Sequence, residues 1–215
     1  MSKNLLRVPI DQRVCNGAVI LLIPTVVLFF WHPAFSVVCI FLLIGHLTFF
    51  RDPFRVPPPG DAPVSPADGT IVHISTEHEP RFLKEKAVHI GIFLSIFNVH
   101  VNRSPIEGTV SYLQYEPGKF LNALREESAT QNESNWVGLR SENRTILVRQ
   151  IAGAIARRIC CDALPGGHLA RGQKFGIICY GSRVECWLPE RLFKPQVTIG
   201  QPVRAGKTLL GEWKS

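Results

Sequence analysis

The chain has 215 residues, a length typical of one compact domain with an appendage, and 46% of them are apolar, so a buried core is expected. Its 17 glycines and 16 prolines favour turns and strands over long helical bundles. The net charge of +7 suits an anionic partner, either nucleic acid or an acidic membrane surface. Basic and aromatic residues are not interleaved as in RNA-binding segments, which argues against nucleic acid. The six cysteines show no metal-ligand spacing, so reduced thiols and no bound metal are expected.

Residues 17–50 form an apolar stretch without any Asp, Glu, Lys or Arg. The His32-Pro33 pair divides this stretch, because proline disfavours helix at the residue before it. Each half is shorter than the about 20 residues of a full membrane span, yet long enough to enter a bilayer. The pattern predicts a membrane-associated helical hairpin over 17–50, preceded by a basic tail over 1–16.

Basic residues flank this predicted hairpin on both sides: Lys3, Arg7 and Arg13 precede it, and Arg51 and Arg55 follow it. Positive charge on both flanks places both ends in the cytoplasm, so the rest of the chain is expected at the cytoplasmic face of the cell membrane. A cleaved signal peptide and a buried hairpin in a soluble core are the alternatives. No small-residue cleavage site follows the first half, which disfavours the signal peptide.

The remaining chain divides into a proline-rich linker over 51–63 and a β-rich domain over 64–215. The polar segment 118–135 predicts a short helix followed by a loop. Apolar and alternating patterns predict strands over 69–75, 87–97, 108–115, 144–153 and 176–189, the last with Gly181 inside it.

Two segments, 65–74 and 197–210, resemble the strands of biotinyl and lipoyl carrier domains, and 167–176 resembles 200–211. The predicted fold class is therefore mainly β (α+β). We expect a flattened β-barrel or sandwich with biotinyl/lipoyl-like halves, a few short helices and the N-terminal apolar helical hairpin.

Two groups of polar residues interrupt the strand pattern. Ser182 follows Gly181 in the last predicted strand, where a glycine indicates unusual backbone geometry; alone, the pair fits equally well a kink with an exposed hydroxyl. Asn98, His100 and Asn102 follow the most apolar strand and share one face in strict alternation. Such a triplet is typical either of residues that line a cleft or of a hydrogen-bonded strand end.

Asp68 lies in a Ser-Pro-Ala-Asp-Gly turn, where an aspartate can bond its own backbone. Several familiar signatures are absent from the sequence: a phosphate-binding loop, a dinucleotide fingerprint, a zinc-binding His-Glu-x-x-His and a Gly-x-Ser-x-Gly elbow. No lysine has the setting of a biotin or lipoyl attachment site.

An ordered set of short motifs, none specific alone, resembles one family over nearly the whole chain: the phosphatidylserine decarboxylases in their short membrane-anchored form. Longer members carry Leu-Gly-Ser-Thr where this chain has Tyr180-Gly181-Ser182-Arg183. Ser134 stands where the family often has an arginine, so another cation must make any phosphate contact of that arginine. The motifs are Phe50-Arg51-Asp52-Pro53, Ser65-Pro66-Ala67-Asp68-Gly69, the segment 97–105, Pro117-Gly118-Lys119-Phe120-Leu121-Asn122-Ala123, Gln150-Ile151-Ala152-Gly153 and Gly181-Ser182-Arg183-Val184.

The resemblance implies that the chain cuts itself between Gly181 and Ser182 into a large chain, 1–181, and a small chain, 182–215, which stay associated. Ser182 becomes a covalent pyruvoyl group that forms a Schiff base with the substrate amine, so no diffusible cofactor and no metal are needed. Asp68 and His100 are the implied candidates for the base that takes the serine proton, arranged like the base and orienter of a hydrolytic triad. His100 is also the implied acid in turnover. The implied reaction converts phosphatidylserine to phosphatidylethanolamine and CO2.

The substrate is then an anionic phospholipid at a membrane surface, and a homo-oligomer is expected by analogy. The alternatives are a related lipid substrate such as archaetidylserine, a pyruvoyl decarboxylase of a soluble amino acid or amine precursor, an anchored serine hydrolase, and a membrane-tethered β-barrel carrier or adaptor without catalysis. Arg51 and Arg55 are further cations that could attract the phosphate. The expected substrate-binding residues are Asn98, Asn102, Arg103, Lys119 and Arg183.

Overall fold

The computed structural model describes residues 10–11, 14–121, 126–154, 158–179 and 182–214. It divides into one unit over residues 1–54 and a second over residues 55–215. In the first unit, helix α1 (Val14–Trp31) and helix α2 (Pro33–Phe49) are separated at His32, as the His32-Pro33 pair predicts. The two helices lie antiparallel, because Gly17 near the start of α1 faces His46 near the end of α2. A Cβ atom on Gly17 would lie 2.4 Å from that ring.

Large apolar side chains cover the outside of this hairpin. Phe30, Trp31 and Phe41 are each at least 70% exposed. Among the helices of the described residues, none combines the length and the hydropathy that a membrane crossing requires. Residues 1–9 and 12–13 of the predicted basic tail lie outside the described residues.

The second unit is built from antiparallel strands, which confirms the prediction of a mainly β fold. A short helix, α3 (Glu126–Gln131), falls within the polar segment where a helix is predicted. In the described residues the strands are β1 (Gly69–Glu79), β2 (Glu85–Leu94), β3 (Val101–Arg103), β4 (Gly108–Glu116), β5 (Ser134–Arg140), β6 (Thr145–Ala152), β7 (Ile159–Cys161), β8 (His168–Leu169), β9 (Lys174–Ile178), β10 (Ser182–Pro189), β11 (Phe193–Pro195), β12 (Pro202–Val203) and β13 (Gly211–Trp213).

These strands form a main sheet and two smaller ones. The main sheet has eight strands in the order β12-β1-β2-β10-β6-β5-β4-β8, and the smaller sheets are β3-β9-β7 and β11-β13. Alternate residues of each long strand point into one core. In β10, Val184, Cys186 and Leu188 belong to that core, so Arg183 and Glu185 lie on the opposite, outer face.

The second unit consists of two halves that repeat the same backbone contacts. Ser65-Pro66 opens one half and Ser104-Pro105 opens the other, 39 residues later. The Arg103 amide donates to the Pro66 carbonyl oxygen at 2.9 Å, and the Val64 amide donates to the Pro105 carbonyl oxygen at 3.0 Å. The two openings therefore bind each other reciprocally, in agreement with the prediction of two similar halves.

The two halves also correspond in the main sheet. The strands β12, β1, β2 and β10 of one half are equivalent, in that order, to β8, β4, β5 and β6 of the other. A register shift follows Ile71 in β1 and Val110 in β4, again 39 residues apart. Gly91 of β2 and Gly138 of β5 are also equivalent. A Cβ atom on Gly91 would lie 3.1 Å from that of His73, just past the first shift, and one on Gly138 would lie 2.7 Å from that of Tyr112, just past the second.

The single strand predicted over 176–189 is wrong. The segment contains two strands that belong to different sheets, β9 in the three-stranded sheet and β10 in the main sheet. Because both strands are buried, both are largely apolar, and the sequence pattern shows no break where the chain passes from one sheet to the other. Tyr180 and Gly181 lie outside the described residues.

Candidate active site

Ser182 is the first residue of β10, in the middle of the main sheet. It pairs with Leu94 of β2 on one side and with Ala152 of β6 on the other. Its side chain is fully buried on the core face, and its Oγ atom has no hydrogen-bond partner among the described residues. A buried hydroxyl without a partner costs free energy, so such a group indicates a functional position.

His100 lies where the chain leaves β9 on its way to Ser182. Its carbonyl oxygen accepts from the Ile178 amide at 3.3 Å, and four peptide units join Ile178 to Ser182. The Cα atoms of Ile178 and Ser182 are therefore within about 14 Å of each other. The fully buried His100 ring places Nδ1 2.9 Å from the Asn98 carbonyl oxygen. A carbonyl only accepts, so Nδ1 carries a proton and Nε2 of the neutral ring has the lone pair of a base.

Asp68 immediately precedes β1 and is buried. Its carboxylate forms a two-point ion pair with Arg55, in which Nη2 lies 2.8 Å from Oδ2 and Nη1 contacts Oδ1. The Ala205 amide also donates to Oδ1 at 2.8 Å. Arg55, expected as a phosphate-attracting cation, is thus occupied by Asp68. The direct pairing of Asp68 with His100 stays a prediction, because the described bonds of Asp68 go to Arg55 and Ala205.

Asp68 and Ser182 lie at the same end of the main sheet. Phe93 of β2 pairs with Thr70 on one side and with Arg183 on the other. Ser182 directly precedes Arg183, and Asp68 lies two residues before Thr70, so both lie at this end of the sheet. Two strand spacings, roughly 10 Å, separate β1 from β10. The fold therefore gathers Asp68 and Ser182 at one edge, from residues more than one hundred positions apart.

Asn98 does not share a strand face with His100 and Asn102, so that part of the prediction is wrong. The Asn98 side-chain oxygen accepts from both the amide and the hydroxyl of Ser95, each at 2.8 Å. These bonds close a tight turn, and β3 begins only at Val101. The role of Asn98 in this structure is to shape the turn and to present its carbonyl oxygen to His100.

Asn102 is the last member of a chain of buried amides that crosses the core. Gln150 Nε2 donates to Asn102 Oδ1 at 2.7 Å, and Asn135 Nδ2 donates to Gln150 Oε1 at 3.0 Å. All three side chains are at most 5% exposed. Asn102 Nδ2 has no hydrogen-bond partner among the described residues. We refer to these three residues as the amide relay.

The three cations expected to bind substrate lie elsewhere in the structure. Arg103 donates from Nη1 to a carbonyl oxygen in the turn before β9 at 3.2 Å. Lys119 is exposed and donates from Nζ to a glutamine of α3 at 3.0 Å. Arg183 points to the outer face, away from the Ser182 side chain, with Nε 2.8 Å from Glu185 Oε1. None of the three is brought into contact with the Ser182 hydroxyl.

The outer face of β10 carries a buried charge cluster that the sequence does not reveal. Glu185 lies 3.5 Å from His89 Nε2 and 3.8 Å from Arg149 Nη1, in addition to Arg183. Burial alone would raise the pKa of Glu185, but His89, Arg183 and Arg149 outweigh it and lower that pKa below its ordinary value. Burial, with His89 and Arg183, lowers the pKa of His73.

Ser134 stands where the family often has an arginine, and Arg149 supplies a cation next to it. Arg149 Nη2 donates to Ser134 Oγ at 3.0 Å, so a guanidinium from β6 lies beside the neutral Ser134 of β5.

The five cysteines whose side chains are described form no disulfide bond. The described residues contain no group of three His, Cys, Asp or Glu arranged to hold a metal ion.

Comparison with known proteins gives one consistent result. A family model described as phosphatidylserine decarboxylase matches residues 45–211. The phosphatidylserine decarboxylase proenzyme of Paraburkholderia phytofirmans is 44% identical over 173 residues, covering 80% of this chain and 81% of that protein. The proenzyme of Ralstonia nicotianae is 46% identical over 80% of each chain, and that of Nitrosomonas eutropha is 46% identical over 78% of each. The chain belongs to the phosphatidylserine decarboxylase family.

Proposed function

We propose that this chain is a self-processing proenzyme that decarboxylates phosphatidylserine to phosphatidylethanolamine and CO2. The observation that carries the proposal is the Ser182 hydroxyl, which is fully buried at the start of a central strand and has no hydrogen-bond partner among the described residues. The relatives named as phosphatidylserine decarboxylase proenzymes support the same activity. Ser182 is the residue that processing converts.

The cut begins when Ser182 Oγ attacks the carbonyl carbon of Gly181. The C–N bond between the two residues breaks, the freed nitrogen becomes an amine, and an ester joins Oγ to Gly181. His100 Nε2 is the base that takes the hydroxyl proton. Elimination then breaks the Cβ–Oγ bond and releases the Gly181 carboxylate. Water replaces the nitrogen of the remaining dehydroalanine, and ammonia leaves.

The surroundings of Ser182 fit the small, uncharged pyruvoyl group that this sequence of steps produces. Leu94 and Ala152 flank the position in the sheet, and neither places a charge there. Once formed, the group supplies a carbonyl that accepts electrons as CO2 departs. His100 holds the proton that the product carbon must regain, and Asp68 with Arg55 fixes the neighbouring edge of the sheet.

The strand order supports lasting association of the two product chains. The small chain would contribute β10, which lies between β2 and β6, and β12, which lies outside β1. Strands β1 and β2 of the large chain would thus sit between two strands of the small chain. Backbone ladders on both sides of β10 hold the pieces together without a covalent bond. A homo-oligomer is proposed by analogy with the family alone.

Exposed apolar residues support placement at a membrane surface. Ile96 and Phe97, in the turn after β2, are 49% and 79% exposed, and Leu94 of the same segment pairs with Ser182. On the other side of Ser182, Asn132 Nδ2 bonds both the Leu121 and Ala152 carbonyl oxygens. This places Phe120, which is also exposed, at the same end of the sheet.

The apolar outer surface of the hairpin and its basic flanks support the same location. Soluble surfaces rarely expose contiguous apolar patches of this extent. We therefore place the enzyme at the cell membrane with its catalytic unit on the cytoplasmic face. The acyl chains of the substrate can then remain in the bilayer while its serine headgroup enters the site.

The intact mass of the purified full-length protein tests the proposal. We expect two chains separated after Gly181, with the small chain lacking a free amino group at its first residue. Ser182→Ala should leave one uncut chain and abolish CO2 release from phosphatidylserine. Ser111→Ala, at an exposed position of β4, is the matched control and should cut normally. An uncut 215-residue chain from an active preparation would overturn the proposal.

A further inference from the structure

In the structure the amide relay ends on a donor. Asn135 Nδ2 donates to Gln150 Oε1, and Gln150 Nε2 donates to Asn102 Oδ1. With Gln150 in this orientation, turning the Asn102 amide by itself would lose the bond to Gln150. Asn102 Nδ2 is buried and has no hydrogen-bond partner among the described residues.

The other half of the fold lacks this relay. Gln150 pairs with Asn135, three residues before Gly138, and Leu188 pairs with Val88, three residues before the equivalent Gly91. Leu188 and Val88 both belong to the hydrophobic core. The position equivalent to Asn102, two residues before the Ser-Pro opening, is the buried Pro63. In that half, three apolar residues therefore occupy the equivalent positions. Packing of the layers alone does not require polar side chains there.

The half that carries the relay places it next to Ser182. Gln150 precedes Ala152 by two residues on the same strand face, and Ala152 pairs with Ser182. The backbone also makes room for the amide, since a Cβ atom on Gly176 of β9 would lie 3.0 Å from Gln150 Nε2. The equivalent trio lies at the opposite end of the paired strands.

We propose that Asn102 Nδ2 donates a hydrogen bond to an anionic oxygen of the substrate headgroup, and that Gln150 and Asn135 are positioning residues that aim it. This inference rests on the proposed function. A buried donor without a partner has an unmet hydrogen bond, and a negatively charged oxygen makes the strongest match to it. The phosphoserine head offers two such groups, the carboxylate and the phosphate.

The test uses variants that the fold itself suggests. Gln150→Leu and Asn135→Val introduce the residues of the equivalent positions, so folding is expected to survive. Asn102→Asp keeps the shape but replaces the donor by an acceptor. Leu188→Met, at the position equivalent to Gln150, is the control. All four proteins should cut at Gly181-Ser182, as intact mass would show. Asn102→Asp and Gln150→Leu should melt at a lower temperature, because the first buries a charge and the second leaves the buried amides of Asn102 and Asn135 without their partner.

The KM for phosphatidylserine in detergent micelles then measures how much the Asn102 donor contributes to substrate binding. Asn102→Asp should raise KM about 10- to 100-fold, the effect of losing a hydrogen bond to a charged group. Gln150→Leu should raise it about tenfold, Asn135→Val less, and Leu188→Met not at all. Unchanged KM in Asn102→Asp and Gln150→Leu overturns the proposal. So does a loss of cutting, because it assigns the relay to processing.

Inhibition by glycerophosphoethanolamine identifies the anionic group. This product head keeps the phosphate and lacks the carboxylate. Its inhibition constant should rise in Asn102→Asp by the same factor as KM if Asn102 binds the phosphate, and stay unchanged if Asn102 binds the carboxylate. A lowered inhibition constant contradicts both. A wild-type chain that is never cut would instead mark failure of the proposed function itself.

Discussion

The carbonyl oxygen of Asn98 accepts a hydrogen bond from His100 Nδ1 at 2.9 Å, and this bond leaves Nε2 as the basic nitrogen of the neutral ring. His100→Gln should therefore slow the cut before Ser182 by about 10²- to 10⁴-fold, the usual contribution of a general base. The time course of the uncut mass after synthesis measures the effect. His168→Gln removes an exposed histidine beside Glu107 and should cut at the normal rate. Normal cutting in His100→Gln would exclude His100 as the base.

The ion pair between Arg55 and Asp68 is nearly buried, with side chains 9% and 11% exposed. Arg55→Met should lower the free energy of unfolding of the uncut Ser182→Ala protein by about 3 kcal/mol, because it strands a buried carboxylate. Adding Asp68→Leu should recover part of that loss. Urea denaturation of the two single variants and the double variant checks this, and a loss in the double variant equal to the sum of the two single losses would show that the pair is uncoupled.

Acid should weaken the fold through the outer-face cluster. The lowered pKa of His73 means that the unfolded chain binds its proton first, so stability present above about pH 6.5 is lost as the pH falls below that value. The lowered pKa of Glu185 adds a second loss below about pH 4.5. His73→Gln should flatten the fall in melting temperature between pH 7 and pH 5. His78→Gln, at an exposed position of β1, should leave the slope unchanged; identical slopes in all three proteins would contradict the assignment.

The exposed turn after β2 should matter only when the substrate lies in a bilayer. Phe97→Ser should lower activity on phosphatidylserine vesicles about tenfold, within the range for exposing one large apolar side chain. The same variant should keep wild-type activity on soluble glycerophosphoserine. Leu164→Ser is the control, because Leu164 is 71% exposed against 79% for Phe97 but lies before the edge strand β8. Equal losses on both substrates would indicate a packing defect instead.

Much of the fold follows from local patterns. The break at His32-Pro33 and strands β1, β4 and β6 occur where proline geometry and alternation predict them. The repeat is only partly visible in the sequence. The segments 167–176 and 200–211 are alike, but the reciprocal openings Ser65-Pro66 and Ser104-Pro105 are too short to stand out as a repeat. The change of sheet between β9 and β10 has no local signal, because both strands are buried.

The site was less predictable than the fold. Ser182, His100 and Asp68 came from the family resemblance, and their surroundings depend on contacts between distant segments. Gln150 belongs to one of the family motifs. A glutamine on the core face of an otherwise apolar strand is the sequence feature that indicates a role in the site. Its partner Asn135 lies in β5, where Gly138 weakens the alternation. The partner of Asp68, Arg55, lies in the proline-rich linker, where the sequence predicts a flanking or phosphate-attracting cation and gives no sign of an ion pair with Asp68.

If the chain is cut at Gly181-Ser182 as proposed, the central place of β10 requires that folding comes before activation. The uncut chain would fold as one molecule, at a rate that does not depend on concentration. The cut protein could refold only through an encounter between two chains, and the large chain alone would expose β2 and β6 as unpaired edges open to aggregation. A cut enzyme that has once been unfolded would therefore not return to activity by the route that first produced it.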